Sequence, residues 1–319
     1  MSDSTQLAFL WQPVPGGARL LRVYGDTPCP VVPDAIEGIP ITELGPYCFS
    51  AREYPAVPEA RRSGPQALFS HAAAGDFVER ITLPGTIKVF HNAAFYNCRR
   101  LTELCLGPGA PASLELGSDL FTNCRALERF ILDAQPTAPT ALKRLVGAVS
   151  ADVGASFAPN GQETARVFFP EYFEYLDENT PAHIFNHSIE GEGYRMRQCF
   201  DGFVMNFEEY DRAFDQALVS ETPSSLCRIA LDRLCRPWAL TPEMAEIYRI
   251  ALRSRAQTAA APLIARQDAG ALELLCSFMD FADRAQVARR CGQVGWSEGA
   301  ALALAHAPRR TKTYDFDDL

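Results

Sequence analysis

The chain has 319 residues, of which 47% are hydrophobic, and this is enough for one large domain or two ordinary ones. Its formal net charge is -9 and no basic cluster offsets it, which argues against general affinity for nucleic acid or an anionic membrane surface. No run of about 18 apolar residues occurs, so the sequence predicts no transmembrane helix.

The N-terminus and the ten cysteines indicate a reducing compartment. Segment 1–17 has no basic leader, and its apolar run at 7–11 is too short for a signal peptide. Without a secretion signal, ten cysteines favour free thiols over disulfides, and no C-x-x-C pair suggests a zinc or thioredoxin-like site. We therefore expect a cytoplasmic protein, with export by an unusual route as the alternative.

The first elements along the chain have the signature of a β-hairpin. Segments AFLWQPV (8–14) and ARLLRVYG (18–25) are apolar strands joined through a Pro-Gly-Gly turn at 15–17. The following stretch, 31–51, resembles a first, degenerate copy of a repeat that becomes clear further on, because Cys48-Phe49 corresponds to Ala94-Phe95. A solenoid is therefore expected to begin near residue 31.

Segment 51–77 interrupts the repeat with several prolines and an Arg-Arg pair at 61–62. The distance from Phe49 to Phe95 is about twice the local period. The segment is therefore either an insertion, as a loop or short helix, or one hidden repeat, and we favour the insertion.

Two phrases recur in the segment from Val78 to Asp133. A Phe-x-Asn-Cys phrase occurs at 95–98 and 121–124, and a phrase with apolar ends occurs at 78–81, 101–104 and 127–130. Periods of about 20 to 29 residues with this content are typical of leucine-rich repeats, whose units stack because none buries its apolar edge alone.

Within each repeat the aromatic and amide residues have separate expected roles. Phe95 and Phe121 are expected to fill the interior of the stack. Asn97 and Asn123 are expected to hydrogen-bond backbone groups at the turn that leaves the strand.

The repeat pattern resembles that of a known family. The pattern L-x-x-L-x-L-P-x-x-I-x-x-x-x-x-x-A-F-x-x-C is carried by Leu83-Pro84, Ile87, Ala94-Phe95, Cys98, Leu101 and Leu104. Over about residues 31–133 the chain thus resembles the BspA-like, or Treponema-type, leucine-rich repeat family. The resemblance implies a repeat scaffold with a ligand-binding surface. Because many members are secreted or surface-attached, it also implies a surface or adhesin-like protein as an alternative.

After residue 133 the pattern changes from repeats to mixed elements and then to helices. A helix is predicted over about 140–149, and strand 167–169, stopped by Pro170, is predicted to cap the solenoid. From 171 onward we expect helices, among them 207–220, and two that start at Thr222-Pro223 and Thr241-Pro242, with threonine as N-cap.

Two apolar stretches of the last sixty residues resemble each other. Ala271-Leu-Glu-Leu and Ala300-Ala-Leu-Ala lie about 29 residues apart, which favours ankyrin- or HEAT-like helix pairs, with a plain bundle as the alternative. The predicted fold is α+β. Residues 1–170 form a leucine-rich-repeat-like β-solenoid with an insertion at 51–77, and residues 171–319 form an all-helical domain.

The segment 183–199 holds the candidates for chemistry. His183 and His187 are four residues apart, so a helix would place both on one face, but the glutamate of an H-E-x-x-H zinc motif is missing. Tyr194, Arg195 and Arg197 are candidates for a small anion or partner site. We expect no cofactor, no metal site and no enzymatic activity, with a metal-dependent or other enzyme that uses 183–199 as the alternative.

Strand alternation predicts a second candidate site on the repeats. If the leucines of each strand point inward, the residues between them point outward, and they form adjacent rows on one sheet face. These outward residues are Arg80, Thr82, Glu103, Cys105, Arg129 and Ile131. Leucine-rich repeats commonly bind partners on such a face, so the sequence predicts a scaffold for a protein or peptide, not for nucleic acid or membrane.

Overall fold

A computed structural model describes residues 6–52, 57–179 and 184–305 of the chain. Its architecture is α+β, with a β-solenoid of about five turns in the N-terminal part and helices in the C-terminal part. The chain divides into two compact units. The first comprises Met1–Glu221 with Arg236–Leu240, and the second comprises Thr222–Cys235 with Thr241–Leu319.

Among the described residues, the first unit contains the strands and three α-helices. In chain order the strands are β1 (Ala8–Val14), β2 (Gly17–Tyr24), β3 (Ala35–Ile36), β4 (Ile39–Leu44), β5 (Arg61–Ser63), β6 (Arg80–Leu83), β7 (Val89–Phe90), β8 (Glu103–Leu106), β9 (Glu115–Leu116), β10 (Arg129–Leu132), β11 (Val153–Phe157), β12 (Ala165–Phe169), β13 (Phe173–Asn179), β14 (Ile184–Glu190), β15 (Phe200–Asp201) and β16 (Val204–Met205). The helices are α1 (Leu142–Gly147), α2 (Gly193–Met196) and α3 (Phe207–Ser220).

Two sheets form the sides of the solenoid. The first sheet has the strand order β5-β1-β2-β4-β7-β9, with β3 attached to β4, and the second has the order β12-β11-β10-β8-β6. From β2 to β9 the neighbours in the first sheet run parallel, as do β6, β8, β10 and β11 in the second. The repeats that contain β6 with β7 and β8 with β9 therefore contribute one strand to each sheet, and this parallel stacking is the solenoid that the repeats predicted.

Antiparallel strands lie at the ends of the sheets. The predicted hairpin is confirmed as β1 and β2, whose turn has Gly16 at φ 84°. The predicted terminal strand is also confirmed, since β12 pairs antiparallel with β11 and ends before Pro170. Beyond it, the hydroxyl of Tyr210 on α3 accepts a hydrogen bond from the Phe168 N–H and donates one to the Phe168 carbonyl.

A stack of phenylalanine rings fills the interior between the two sheets. Phe95 lies between Phe49 and Phe121, with centroid distances of 5.7 and 5.4 Å and nearly parallel ring planes. The repeated cysteines support this stack, because Cys98 Sγ donates to the Phe49 carbonyl at 3.1 Å and Cys124 Sγ donates to the Phe95 carbonyl at 3.0 Å. The Phe-x-Asn-Cys phrase thus specifies one interior ring and one hydrogen bond between neighbouring coils.

In the sequence, segment 51–77 separates two coils that are direct neighbours in the stack. The Phe49 N–H donates to the Ala94 carbonyl at 2.8 Å, and Val31 forms a parallel bridge with Thr82. Within the segment, β5 pairs antiparallel with β1.

The repeated asparagines form a ladder along the edge of the stack. Asn97 and Asn123 have φ values of 63° and 62°, in the left-handed region that asparagine tolerates better than most residues. Asn123 Nδ2 donates to Asn97 Oδ1 at 2.8 Å. The sequence predicted side-chain bonds to backbone groups instead. The two side chains meet because stacked coils place equivalent residues about 4.8 Å apart.

The expectation that residues from 171 onward are helical is wrong for 173–190 and for the short strands β15 and β16. The first of these segments forms the antiparallel pair β13 and β14, in which Phe173 opposes Glu190. Aromatic residues at alternate positions, such as Phe173 and Tyr175, favour a strand over a helix. The predicted helix at 207–220 is confirmed as α3, and Asn206 caps it by accepting a hydrogen bond from the Glu209 N–H at 2.9 Å.

The second unit consists of helices. They are α4 (Pro223–Cys235), α5 (Pro242–Arg253), α6 (Ala256–Arg266), α7 (Ala269–Phe278), α8 (Phe281–Gln293) and α9 (Ser297–Ala305). The two predicted starts are confirmed, because the hydroxyls of Thr222 and Thr241 accept hydrogen bonds from the N–H groups of Ser225 and Met244. Helix α6 packs against α4 and α8, while α7 packs against α5 and α9, so consecutive helix pairs stack on one another.

Candidate functional site

The second sheet has an inner face toward the phenylalanine stack and an outer face. Its inner side chains are almost fully buried, as Leu104 and Phe130 illustrate. The residues between them lie on the outer face, where strand pairing arranges them in rows. One row is Arg80, Glu103, Arg129 and Gly154, and the next is Thr82, Cys105, Ile131 and Ser156.

The outer face forms a concavity of about 430 Å³. It is lined by five of the six residues that strand alternation predicted to face outward. These five are Arg80, Thr82, Cys105, Arg129 and Ile131. The sixth, Glu103, is paired with Arg80, whose Nη1 lies 3.2 Å from Glu103 Oε2.

Glu163 forms one side of this concavity and is held by several donors. Its Oε1 accepts hydrogen bonds from Ser156 Oγ at 2.5 Å and from Arg166 Nε at 2.8 Å. Its Oε2 lies 2.6 Å from Arg166 Nη2 and 3.1 Å from Arg236 Nε. Burial by itself would raise the pKa of Glu163, but these hydrogen bonds and the charges of Arg166 and Arg129 outweigh it and lower the pKa to about 2.

Glu163 and Ser156 are site residues that sequence reasoning missed. Glu163 precedes β12 in an irregular stretch, and one of its partners, Arg236, is distant in sequence. Ser156 joins the row of Ile131 through the pairing of β11 with β10, which only the structure shows.

Arg129 differs from the other arginines around this concavity. Its side chain is half-buried, and among the described residues its Nε has no hydrogen-bond partner. The neighbouring carboxylates are engaged elsewhere, Glu103 by Arg80 and Glu163 by Arg166. Gly154 follows Arg129 in the same row, and Arg129 Nε lies 3.6 Å from the position of a Cβ at Gly154. The guanidinium therefore lies beside the bare backbone of β11.

Cys105 forms part of the floor of the concavity and is only 6% exposed. Burial raises its pKa more than the neighbouring Arg80 and Thr82 lower it. The side chain is therefore a neutral thiol at physiological pH, and it lacks the thiolate character of a catalytic nucleophile.

A second concavity, of about 240 Å³, adjoins the first. Both are lined by Leu106, Gly107 and Asp133, and the second continues along the loop that contains residues 134–141. We call the two together the outer groove. It lies entirely within the first unit and extends along the strands past their C-terminal ends.

Of the two histidines in segment 183–199, the structure describes His187, which lies on a strand and not on a helix. His183 lies outside the described residues. His187 is on strand β14, where its Nε2 lies 3.3 Å from Glu174 Oε2. Among the residues that the structure describes, no group of three or more histidine, cysteine, aspartate or glutamate side chains is placed to hold a metal ion.

The three other candidates in this segment differ in exposure and in the partners of their side chains. Tyr194 is partly exposed and packs edge-on against Tyr172, with ring centroids 5.5 Å apart. Arg195 is exposed and lies 3.9 Å from Glu192. Arg197, in contrast, is only 2% exposed.

Arg197 binds the protein itself. Its guanidinium donates hydrogen bonds to five backbone carbonyls, those of Val146, Val149, Ala151, Pro170 and Gly193. Burial lowers its pKa to about 10. These hydrogen bonds connect α1 and the loop after it to the end of β12 and to α2. Sequence reasoning missed this role because most of these carbonyls lie far away in sequence.

No helix within the described ranges is both long enough and apolar enough to span a membrane. Comparison of the chain with known protein families, with curated proteins and with solved structures gives no match.

Proposed function

We propose that this protein is a non-catalytic repeat scaffold that binds a protein or peptide segment in the outer groove. The observation that carries the proposal is the continuity of the groove. Side chains from three successive coils line one concavity, and that concavity opens into a second. The stacking of the repeats forms this surface, because each repeat adds one residue to each row.

The dimensions of the groove favour an extended segment of chain. Its larger part, about 430 Å³, is in the size range of ligand-binding clefts. Alternate residues along a strand are roughly 6.6 Å apart, and the groove spans two rows of such residues before it continues past the ends of the strands. A groove of this length accommodates roughly four residues of an extended peptide. Its floor mixes apolar Ile131 with the hydroxyl groups of Thr82 and Ser156, which suits a peptide backbone with side chains.

The architecture of both units supports a scaffold. We propose that the coils are degenerate copies of the BspA-like leucine-rich repeat, which is supported by the recurring Phe-x-Asn-Cys phrase and its stacked rings. We propose that the helices form ankyrin- or HEAT-like pairs, which is supported by the packing of α6 and α7 on the pairs before and after them. A reducing, cytoplasmic environment is supported by the ten free cysteines.

The proposal is tested by filling the groove. A random-peptide library is selected on the immobilised full-length protein, and the affinity of the selected peptides is measured by fluorescence anisotropy. Ile131→Trp places a large side chain inside the groove and is expected to abolish binding. Val219→Trp is the matched control, because Val219 is 82% exposed on α3 and does not line the groove. Equal affinity of the wild type and the Ile131→Trp variant would refute the proposal.

A further inference from the structure

We infer that the outer groove recognises an acidic side chain of the bound segment, and that Arg129 is its anchor. This inference rests on the proposed function, because it names the chemistry of the segment that occupies the same groove. It follows from the way in which the charged groups around the groove are already paired.

The carboxylates at the groove are all engaged within the protein. Glu103 pairs with Arg80 at 3.2 Å, and Glu163 is held by Ser156, Arg166 and Arg236. Asp133 Oδ1 accepts a hydrogen bond from the Asn160 N–H at 2.7 Å. None of them needs a cation from a ligand.

Arg129 is a groove arginine that these ion pairs and hydrogen bonds do not include. It lines the groove, and within the described part of the chain its buried Nε has no hydrogen-bond partner. A guanidinium carries five N–H donors and a positive charge. The charge of Arg129 acts on Glu163, but the Nε–H has lost its hydration without gaining an acceptor, so an acceptor from a ligand is favoured there.

One guanidinium matches one carboxylate. Arginine and a carboxylate form two parallel hydrogen bonds in a planar arrangement, which fixes orientation as well as charge. A phosphate group would bring a second negative charge close to Glu103 and Glu163, and the remaining groove residues Thr82, Cys105 and Ile131 are neutral. The charge balance therefore favours an aspartate or glutamate side chain over a phosphorylated residue.

The experiment uses the full chain and peptides selected on it from the random library. Selected peptides are expected to share an aspartate or glutamate at one position. Replacing that residue by asparagine or glutamine, and separately making Arg129→Gln, should each weaken binding by roughly 10- to 100-fold, as expected for loss of a hydrogen-bonded charge pair. The two changes together should weaken binding little more than either alone.

Arg125→Gln is the matched control. Arg125 belongs to the same repeat, is exposed, and does not line the groove, so the same change of charge there should leave the affinity unchanged. Arg129→Lys separates charge from geometry, because lysine keeps the charge but lacks the two-donor arrangement. Its affinity for the peptides should therefore lie between that of Arg129→Gln and that of the wild type. Unchanged thermal midpoints of these variants establish that they fold.

The outcomes separate the inference from the proposed function. Peptides without an acidic residue, whose binding is lost in Ile131→Trp, would overturn the inference while the proposed function stands. Acidic peptides that bind Arg129→Gln as tightly as the wild type would do the same. Binding that Ile131→Trp leaves intact would overturn both.

Discussion

The Glu163→Gln variant gives the sharpest test of the electrostatics on which the groove is built. Glutamine keeps the size of the side chain and an oxygen for the Ser156 hydroxyl, but it removes the charge that Arg166 and Arg236 neutralise. Any loss of stability therefore reports the ion pairs, with little contribution from packing.

The magnitude follows from the pKa of Glu163. Its usual value is 4.5, and its value in the folded protein is about 2. At about 1.4 kcal/mol for each unit of pKa, this corresponds to roughly 3 kcal/mol of folding free energy at neutral pH. The side chain is only 18% exposed, so solvent screening reduces this figure only modestly.

The lowered pKa of Glu163 determines how its contribution to the folding free energy changes with pH. Because the pKa is lowered in the folded state, the stabilisation is present above pH 4.5 and is lost as the pH falls toward 2. Equilibrium urea unfolding at a series of pH values, followed by tryptophan fluorescence, should show a wild-type advantage of roughly 3 kcal/mol at pH 7 that narrows below pH 5.

Glu208→Gln is the control for this experiment. Glu208 and its partner Arg212 are both exposed on α3, and such i,i+4 pairs contribute only about 0.3 to 0.5 kcal/mol. A Glu163→Gln effect as small as that of Glu208→Gln, or one of equal size at pH 7 and pH 3, would refute the reasoning.

Three further predictions concern the core and the thiols. Phe95→Ala should destabilise the protein by roughly 3 to 5 kcal/mol in urea unfolding, because it removes the middle ring of the stack. Arg197→Ala should lower stability by at least about 2 kcal/mol in the same assay, because it leaves buried carbonyls unpaired, whereas Arg195→Ala on the exposed side of α2 should be nearly neutral. Of the ten thiols, the exposed Cys29 should react first with a chromogenic thiol reagent, and Cys29→Ser should remove that fast phase.

The repeats and the outer face were predictable from the sequence because they depend on short-range periodicity. Alternation along β8 is enough to separate Leu104, which faces the core, from Glu103 and Cys105, which face outward. The recurring Phe-x-Asn-Cys phrase likewise predicted the interior rings. Helix starts at Thr222 and Thr241 were equally local, since a capping hydroxyl and a proline occupy adjacent positions.

The remaining features depend on partners that are distant in sequence. Glu163 is held by Arg236, and Arg197 reaches back to the carbonyls of Val146 and Val149, so no local pattern marks either role. The pairing of β13 with β14 was not predictable in this way, because charged residues interrupt the alternation of Phe173 and Tyr175. Arg129 was predicted to face outward, but only the structure showed that its buried Nε has no hydrogen-bond partner among the described residues.

The hydroxyl of Tyr210 occupies backbone groups at the edge of the second sheet. A sheet grows by adding a strand to free N–H and C=O groups at its edge, and an open edge also invites pairing with another molecule. On β12 the outward N–H and C=O of Phe168 are both occupied by Tyr210, and the strand runs antiparallel to its neighbour. A further parallel coil therefore has no backbone groups to pair with at this position. The groove ends near the same edge, because its lining residue Glu163 lies two residues before the strand that closes the sheet.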